Sequence, residues 1–153
     1  MGGKLVSPEG TIQHGGVILG LGEWDASAFQ GIPEDAIIYN QPHRLIRNCS
    51  AVRSTCMLTT REIFDKLGGF DEQFPGRYAD IDFCLRMRKL GHWIVWTPFA
   101  ALRYYGPGPN GAGGPHPEEG LFRSRWKDVL SKPDPFYNVN LTRKYFDFSP
   151  DVD

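Results

Sequence analysis

The sequence is short of charge imbalance, of long apolar runs and of cysteine, and each shortage removes a class of function. Lys and Arg number 17 against 18 Asp and Glu, a formal net charge of -1 over 153 residues. A general nucleic-acid binder needs surplus cations to displace counterions, so that class is excluded, although a local basic groove is not. No apolar run approaches the roughly 18 residues of a spanning helix; the longest, Val17 to Leu21 and Trp93 to Leu102, are short or interrupted. Met1-Gly2-Gly3-Lys4 precedes no long apolar stretch, so no signal peptide is expected. Cys49, Cys56 and Cys84 are odd in number and lack CxxC spacing, which predicts free, mostly buried thiols in a reducing compartment. The Asn-x-Ser/Thr matches at Asn48 and Asn140 are then chance. His14, His43, His92 and His116 show no HxH or HExxH pairing, and no metal site is expected. P-loop, dinucleotide-fingerprint and nucleophile-elbow patterns are also missing.

What is present is a core-forming composition, with 41% hydrophobic and 13% aromatic residues, as in a soluble α/β domain of ordinary size. Gly and Pro are abundant, 18 and 12 residues, which demands many turns and at least one long irregular loop. Ser7-Pro8-Glu9-Gly10 between Lys4-Leu5-Val6 and the run from Thr11 to Leu19 predicts a β-hairpin. Asn48 to Leu58, small and β-branched, reads as a buried strand. Thr59 with Glu62 forms a capping box for a first helix with an Ile63, Phe64 and Leu67 stripe, ended by Gly68-Gly69.

A second helix is predicted from Asp80 to Leu90. Its wheel puts Phe83, Cys84, Met87 and Leu90 on one side, with Asp80 in the middle of that side. Asp82, Arg86 and Lys89 lie opposite, with Asp82 and Arg86 paired at i,i+4 and Asp82 turned to solvent. His92 to Trp96 and Phe99 to Tyr105 read as two strands, with Trp93 and Trp96 in the core. Residues 106–117, with five Gly and four Pro, form a loop. Glu118 to Leu130 is a last helix, and the aromatic tail packs on the body. Arg44, Arg47 and Arg53 are expected to be solvated.

Asp80 is the sharpest chemical candidate. A carboxylate at a helix start, turned to the apolar side, can be held beside a cleft and take a proton from an attacking hydroxyl. The competing reading is a plain N-cap. Asp80-Ile81-Asp82 also spells D-x-D, but residues two apart on a helix point about 200° apart and do not share one ion. Gly68 to Glu72 reads as a C-cap and turn, or as a loop bringing Asp71 to a ligand.

Four segments in order carry a resemblance: Gly10 to Val17, Leu67 to Phe74, Asp80 to Arg88 followed by Gly91 and Val95-Trp96-Thr97-Pro98, and Asp134 to Leu141. Together they resemble the C-terminal, acceptor-side half of bacterial family 2 glycosyltransferases of the GT-A fold, the rhamnosyltransferase-like enzymes of O-antigen and surface-polysaccharide synthesis. The resemblance implies a partial GT-A-like α/β fold, a mixed sheet with a starting β-hairpin, two central helices and a C-terminal helix. It divides the chain into residues 1–105, the loop 106–117 and the tail 118–153.

The resemblance further implies inverting hexosyl transfer from a nucleotide sugar to a glycan acceptor, with Asp80 as general base. It implies acceptor or substrate contacts from Asp71, Gly69, Thr55, Cys56, Met57 and Arg86. The family's nucleotide-binding half, with its metal-binding D-x-D, has no counterpart in this sequence. No cofactor is therefore expected in the chain itself, and Mg or Mn only with that half; the chain alone is expected to be inactive. Tyr104 and Tyr105 stand where relatives carry His-His. The resemblance places the protein in the cytoplasm or peripherally at the inner membrane face. A non-catalytic glycan- or protein-binding module is the alternative, and a homodimer or the missing half is the expected partner.

Overall fold

The computed structural model describes residues 1–21, 25–106, 116–145 and 147–151. Six strands and four α-helices are present among them: β1 (Gly2–Val6), β2 (Ile12–His14), β3 (Val17–Leu19), β4 (Asp25–Ser27), β5 (Arg47–Asn48), α1 (Arg61–Lys66), α2 (Ala79–Lys89), β6 (Val95–Arg103), α3 (Glu119–Arg125) and α4 (Lys127–Leu130). The fold is mixed α/β. A four-stranded sheet runs β2-β1-β6-β5, and β3 and β4 form a separate pair. β1 is antiparallel to β2, as the hairpin reading predicts, and parallel to β6.

Two glycines let β1 lie flat against its neighbours. A Cβ at Gly2 would sit 2.5 Å from the Val52 side chain, and one at Gly3 would sit 2.5 Å from the Ala100 carbonyl. The Gly3 carbonyl accepts from the buried Trp96 indole at 3.1 Å. β6 is one strand rather than two. Between Thr97 and Ala101 its register against β1 slips, so that Gly3 faces Thr97 while Lys4 faces Ala101. Pro98 lies in this bulge, where a residue without an N–H costs the ladder nothing.

The core gathers Ile12, Val17, Phe29, Val52, Phe74, Ile81, Phe83, Trp96, Phe122 and Trp126, all buried, each contributing roughly 1.5–3 kcal/mol or more by burial. Arg47, expected in solvent, instead stacks against Phe29, Trp96 and Phe148 at 4.8, 5.2 and 4.7 Å and donates to the Gly15 carbonyl. Burial lowers its pKa to about 10, so it stays cationic at neutral pH. It thereby fastens the aromatic tail, through Phe148, to the sheet. Asp134 does the same at a second point, accepting from the Leu19 amide at 2.7 Å and from the Phe136 amide at 2.8 Å. Cys49 and Cys84 are buried free thiols, pushed up to about 11 and about 12 by burial.

Other expectations need correcting. The stretch 48–58 is not a continuous strand: only its first residue belongs to β5, Ser54–Cys56 forms a 3-10 turn, and Met57 bridges Gly2. The cap of α1 is Thr60, whose hydroxyl accepts from the Ile63 amide, and not Thr59. Trp93 is 69% exposed, because the sheet starts only at Val95. The last helix is broken at Trp126 into α3 and α4. Of the loop 106–117, residues 107–115 lie outside the described residues.

Candidate functional site

α2 opens after Tyr78, whose side chain provides no cap, and Asp80 is its second residue. Asp80 is therefore not the N-cap. Its carboxylate leaves its own helix and reaches the chain at Arg53 and Ser54. Oδ2 accepts from the Ser54 amide at 3.0 Å and from its hydroxyl at 3.4 Å, while Oδ1 pairs with the Arg53 guanidinium at 3.4 Å. Asp80 is 7% exposed, and Ser54 and Thr55 beside it are exposed. A carboxylate so placed has a fixed orientation and lies next to solvent-facing hydroxyls.

The backbone that meets Asp80 is itself pinned. His14 is buried, and its Nε2 accepts from the Arg53 amide at 3.2 Å while Nδ1 faces the Ser27 hydroxyl at 3.4 Å. Burial, then Arg53 and Arg47, hold its pKa well below the ordinary value, so it is a neutral acceptor here. Arg53 also donates to the Arg77 carbonyl at 3.1 Å, in the turn that feeds α2. Glu118, just ahead of α3, accepts from the Arg77 amide at 3.0 Å. The start of α2 is thus held from three separate parts of the chain.

Asp82 is where the helical wheel misleads. It is completely buried and forms a hub. Oδ2 accepts from Arg86 at 2.7 Å; Oδ1 accepts from the Trp126 indole at 3.0 Å and from Arg125 at 3.2 Å. The i,i+4 pair with Arg86 is present, but α3 and Trp126 cover it. Arg86 also donates to the carbonyls of Leu67 and Gly69 at 2.7 and 2.8 Å. Arg125 reaches Asp71 at 2.6 Å and the Gln73 side chain at 2.7 Å. Asp71 accepts from the Gln73 amide at 2.9 Å; that bond first, and Arg125 second, hold its carboxyl below the usual range. Gly69, at φ 73°, packs close to Phe64.

The sequence-predicted residues therefore fall into two groups. Asp80 lies with Ser54 and Thr55. Asp71, Gly69 and Arg86 gather round Asp82 on another side of the helix. Cys56 is half-buried, with its sulfur 2.6 Å from where a Gly3 Cβ would stand, and Met57 bridges Gly2 at the sheet edge. Arg53, Ser54, Arg125 and Trp126 escape sequence reasoning, since no motif marks them. Among the described residues no three His, Cys, Asp or Glu side chains gather as a metal site. Asp80-Ile81-Asp82 does not fit a divalent ion, because Asp82 spends both oxygens on Arg86, Arg125 and Trp126. No helix among the described residues is long and apolar enough to cross a membrane.

No protein-family model and no solved structure matches the chain. Curated relatives do. An uncharacterized protein, y4gI, of Sinorhizobium fredii is 36% identical over 156 residues, covering 97% of this chain and 17% of that protein. The O-antigen biosynthesis protein RfbC of Myxococcus xanthus is 34% identical over 145 residues, covering 93% of this chain and 11% of that protein. The uncharacterized protein Rv1525 of Mycobacterium tuberculosis is 34% identical over 68 residues, 42% of this chain and 26% of that protein. The chain thus spans 17% and 11% of the length of the two relatives that align with nearly all of it.

Proposed function

We propose that this chain serves glycan biosynthesis as the acceptor-side part of an inverting, GT-A-like family 2 glycosyltransferase. Asp80 is the general base in this reading. It takes the proton of an acceptor hydroxyl as that oxygen bonds to the anomeric carbon of a nucleotide sugar. The bond from that carbon to the diphosphate breaks, and the nucleoside diphosphate leaves. The observation that carries the reading is the held carboxylate of Asp80, fixed by the Ser54 amide beside exposed Ser54 and Thr55. The likeness to a protein named for O-antigen biosynthesis supports the substrate class. Asp71 and Arg86 would shape the acceptor border through the turn at residues 68–73, and Thr55, Cys56 and Met57 the floor. The donor-binding half and any Mg or Mn belong outside this chain, and the setting is cytoplasmic or at the inner membrane face.

Transfer by the chain joined to or mixed with a nucleotide-binding half tests the base. Asp80→Asn should lower the rate by about 100-fold or more while costing no more than about 1–2 kcal/mol of stability, so that the variant stays folded; wild-type transfer by that variant would refute the assignment. A non-catalytic glycan- or protein-binding module is favoured by one observation, the Arg53 ion pair that occupies Oδ1 of Asp80. Glycan-array binding that survives Asp80→Asn, with no transfer in any pairing, would establish that module instead.

A further inference from the structure

His14 is buried at the end of β2, and no step of the transfer uses it. Its surroundings nevertheless tie it to the segment that meets Asp80. Val17 and Ala51 form an antiparallel bridge, in which the Val17 amide donates to the Ala51 carbonyl at 2.8 Å. Regular continuation of that pairing would give the Arg53 amide the Gly15 carbonyl as its acceptor. The continuation fails, because Gly16 turns the chain at φ 95° and the Gly15 carbonyl accepts from Arg47 instead. The His14 imidazole stands where that carbonyl would be, and its Nε2 accepts from the Arg53 amide at 3.2 Å.

Because Nε2 accepts, the single proton of the neutral ring is on Nδ1. The buried Ser27 hydroxyl lies 3.4 Å from Nδ1 and is its acceptor. Burial, with the charges of Arg53 and Arg47, keeps the ring neutral, the form in which Nε2 has a lone pair to offer. Three successive amides are then fixed: Val52 on the Cys84 sulfur at 3.5 Å, Arg53 on His14, and Ser54 on Oδ2 of Asp80 at 3.0 Å. Peptide units are planar. Only the φ and ψ of Arg53, -75° and 142°, therefore separate the unit that His14 holds from the unit that donates to Asp80.

We propose that His14 is a positioning residue for the transfer, aiming the Asp80 carboxylate through the Arg53 and Ser54 peptides, with Ser27 fixing the ring. The role rests on the reading of Asp80 as general base. An imidazole that merely satisfied a buried amide would support stability alone. A positioning residue also sets kcat, since a displacement of about 1 Å at the reacting groups costs up to about 100-fold in rate. His14 touches neither substrate nor the carboxylate itself; it acts only through the backbone between them.

Amide hydrogen exchange of the chain, and transfer by the chain paired with a nucleotide-binding half, test this together. His14→Leu fills the space without an acceptor, and His14→Gln restores one. His14→Leu should speed exchange of the Ser54 amide by about 10-fold relative to the amides of α2. It should also lower kcat by about 10-fold or more at unchanged KM, and His14→Gln should recover most of both. Added to Asp80→Asn, His14→Leu should lower transfer no further. Ser27→Ala keeps the ring but frees its tautomer; it should show both effects at about 3-fold, and it decides the matter if His14→Leu disturbs the core. An unchanged Ser54 amide, a kcat loss that His14→Gln does not recover, or a further loss in the Asp80→Asn background overturns the proposal. Full transfer by Asp80→Asn overturns the base reading and this role with it, whereas an inactive Asp80→Asn beside a fully active His14→Leu removes His14 alone.

Discussion

Asp80 and Asp82 stand two residues apart on one helix and do opposite jobs. Asp82 is sealed beneath α3, and both its oxygens are taken by Arg86 of α2, Arg125 of α3 and Trp126 at the break between α3 and α4. Asp80 faces a 3-10 turn and is bound at its surface end by a backbone amide, a hydroxyl and one guanidinium. The difference follows from what covers each side of α2. A helix covers Asp82 and excludes water, whereas the exposed Ser54–Thr55 turn adjoins Asp80. Two carboxylates of equal chemistry thereby become a structural hub and a candidate base.

The sharpest way to break this contrast is to remove each in turn. Asp82→Ala strands the Arg86 and Arg125 guanidiniums and the Trp126 indole, and should cost about 3–5 kcal/mol, read as a lowered denaturant midpoint. Asp80→Asn keeps the shape and the contact with the Ser54 amide, and should cost no more than about 1–2 kcal/mol, while transfer in the paired assay falls by about 100-fold or more. If both variants lose stability equally, Asp80 is a second hub and its chemical assignment falls.

Much of the layout was legible. The hairpin showed through Pro8 and Gly10, the end of α1 through Gly68-Gly69, and α2 through its apolar spacing, because these signals are local. The fate of Asp82 was not legible, since it depends on Arg125 and Trp126, more than forty residues away in the chain. A wheel records which side of a helix is polar but not what lands on it. Arg47 was missed for the same reason: a cation among Phe29, Trp96 and Phe148 is made by tertiary contact alone. Trp93 failed in the other direction, with a core-type residue left outside because the strand begins two residues later. Of the site, Asp80 was legible as a position, whereas the partners that hold it, Arg53 and Ser54, carry no motif.

His14 gives the next largest effect, on the Asp80 side. Its folded pKa lies well below 6.5, and the unfolded chain returns it to about 6.5. Between those values the unfolded state binds more protons, so stability falls as pH drops below about 6.5, by up to about 1.4 kcal/mol per unit. Arg47 and Arg53 face the ring and act in the same direction as burial; His43, also lowered, adds a parallel share. His14→Gln keeps an acceptor for the Arg53 amide and should flatten part of this slope in denaturant titrations between pH 7 and 5; an unchanged slope would show that His14 is not buried neutral.

The smallest effect belongs to Asp71 and sharpens the contrast from the hub side. Asp71 meets Arg125 at 2.6 Å, but its side chain is 29% exposed, so solvent screens the pair and Asp71→Asn should cost at most about 1 kcal/mol. The Gln73 amide still finds the Asn oxygen, and Arg125 keeps Asp82. Its folded pKa is depressed, so the contribution of Asp71 is present above its unfolded value of about 3.9 and is lost as pH falls through the folded value. The variant should therefore match the wild type near pH 2 and fall slightly below it at pH 7. A loss at pH 7 as large as that of Asp82→Ala would mean that Arg125 is held through Asp71, and that the turn at residues 68–73, not Asp82, is the hub.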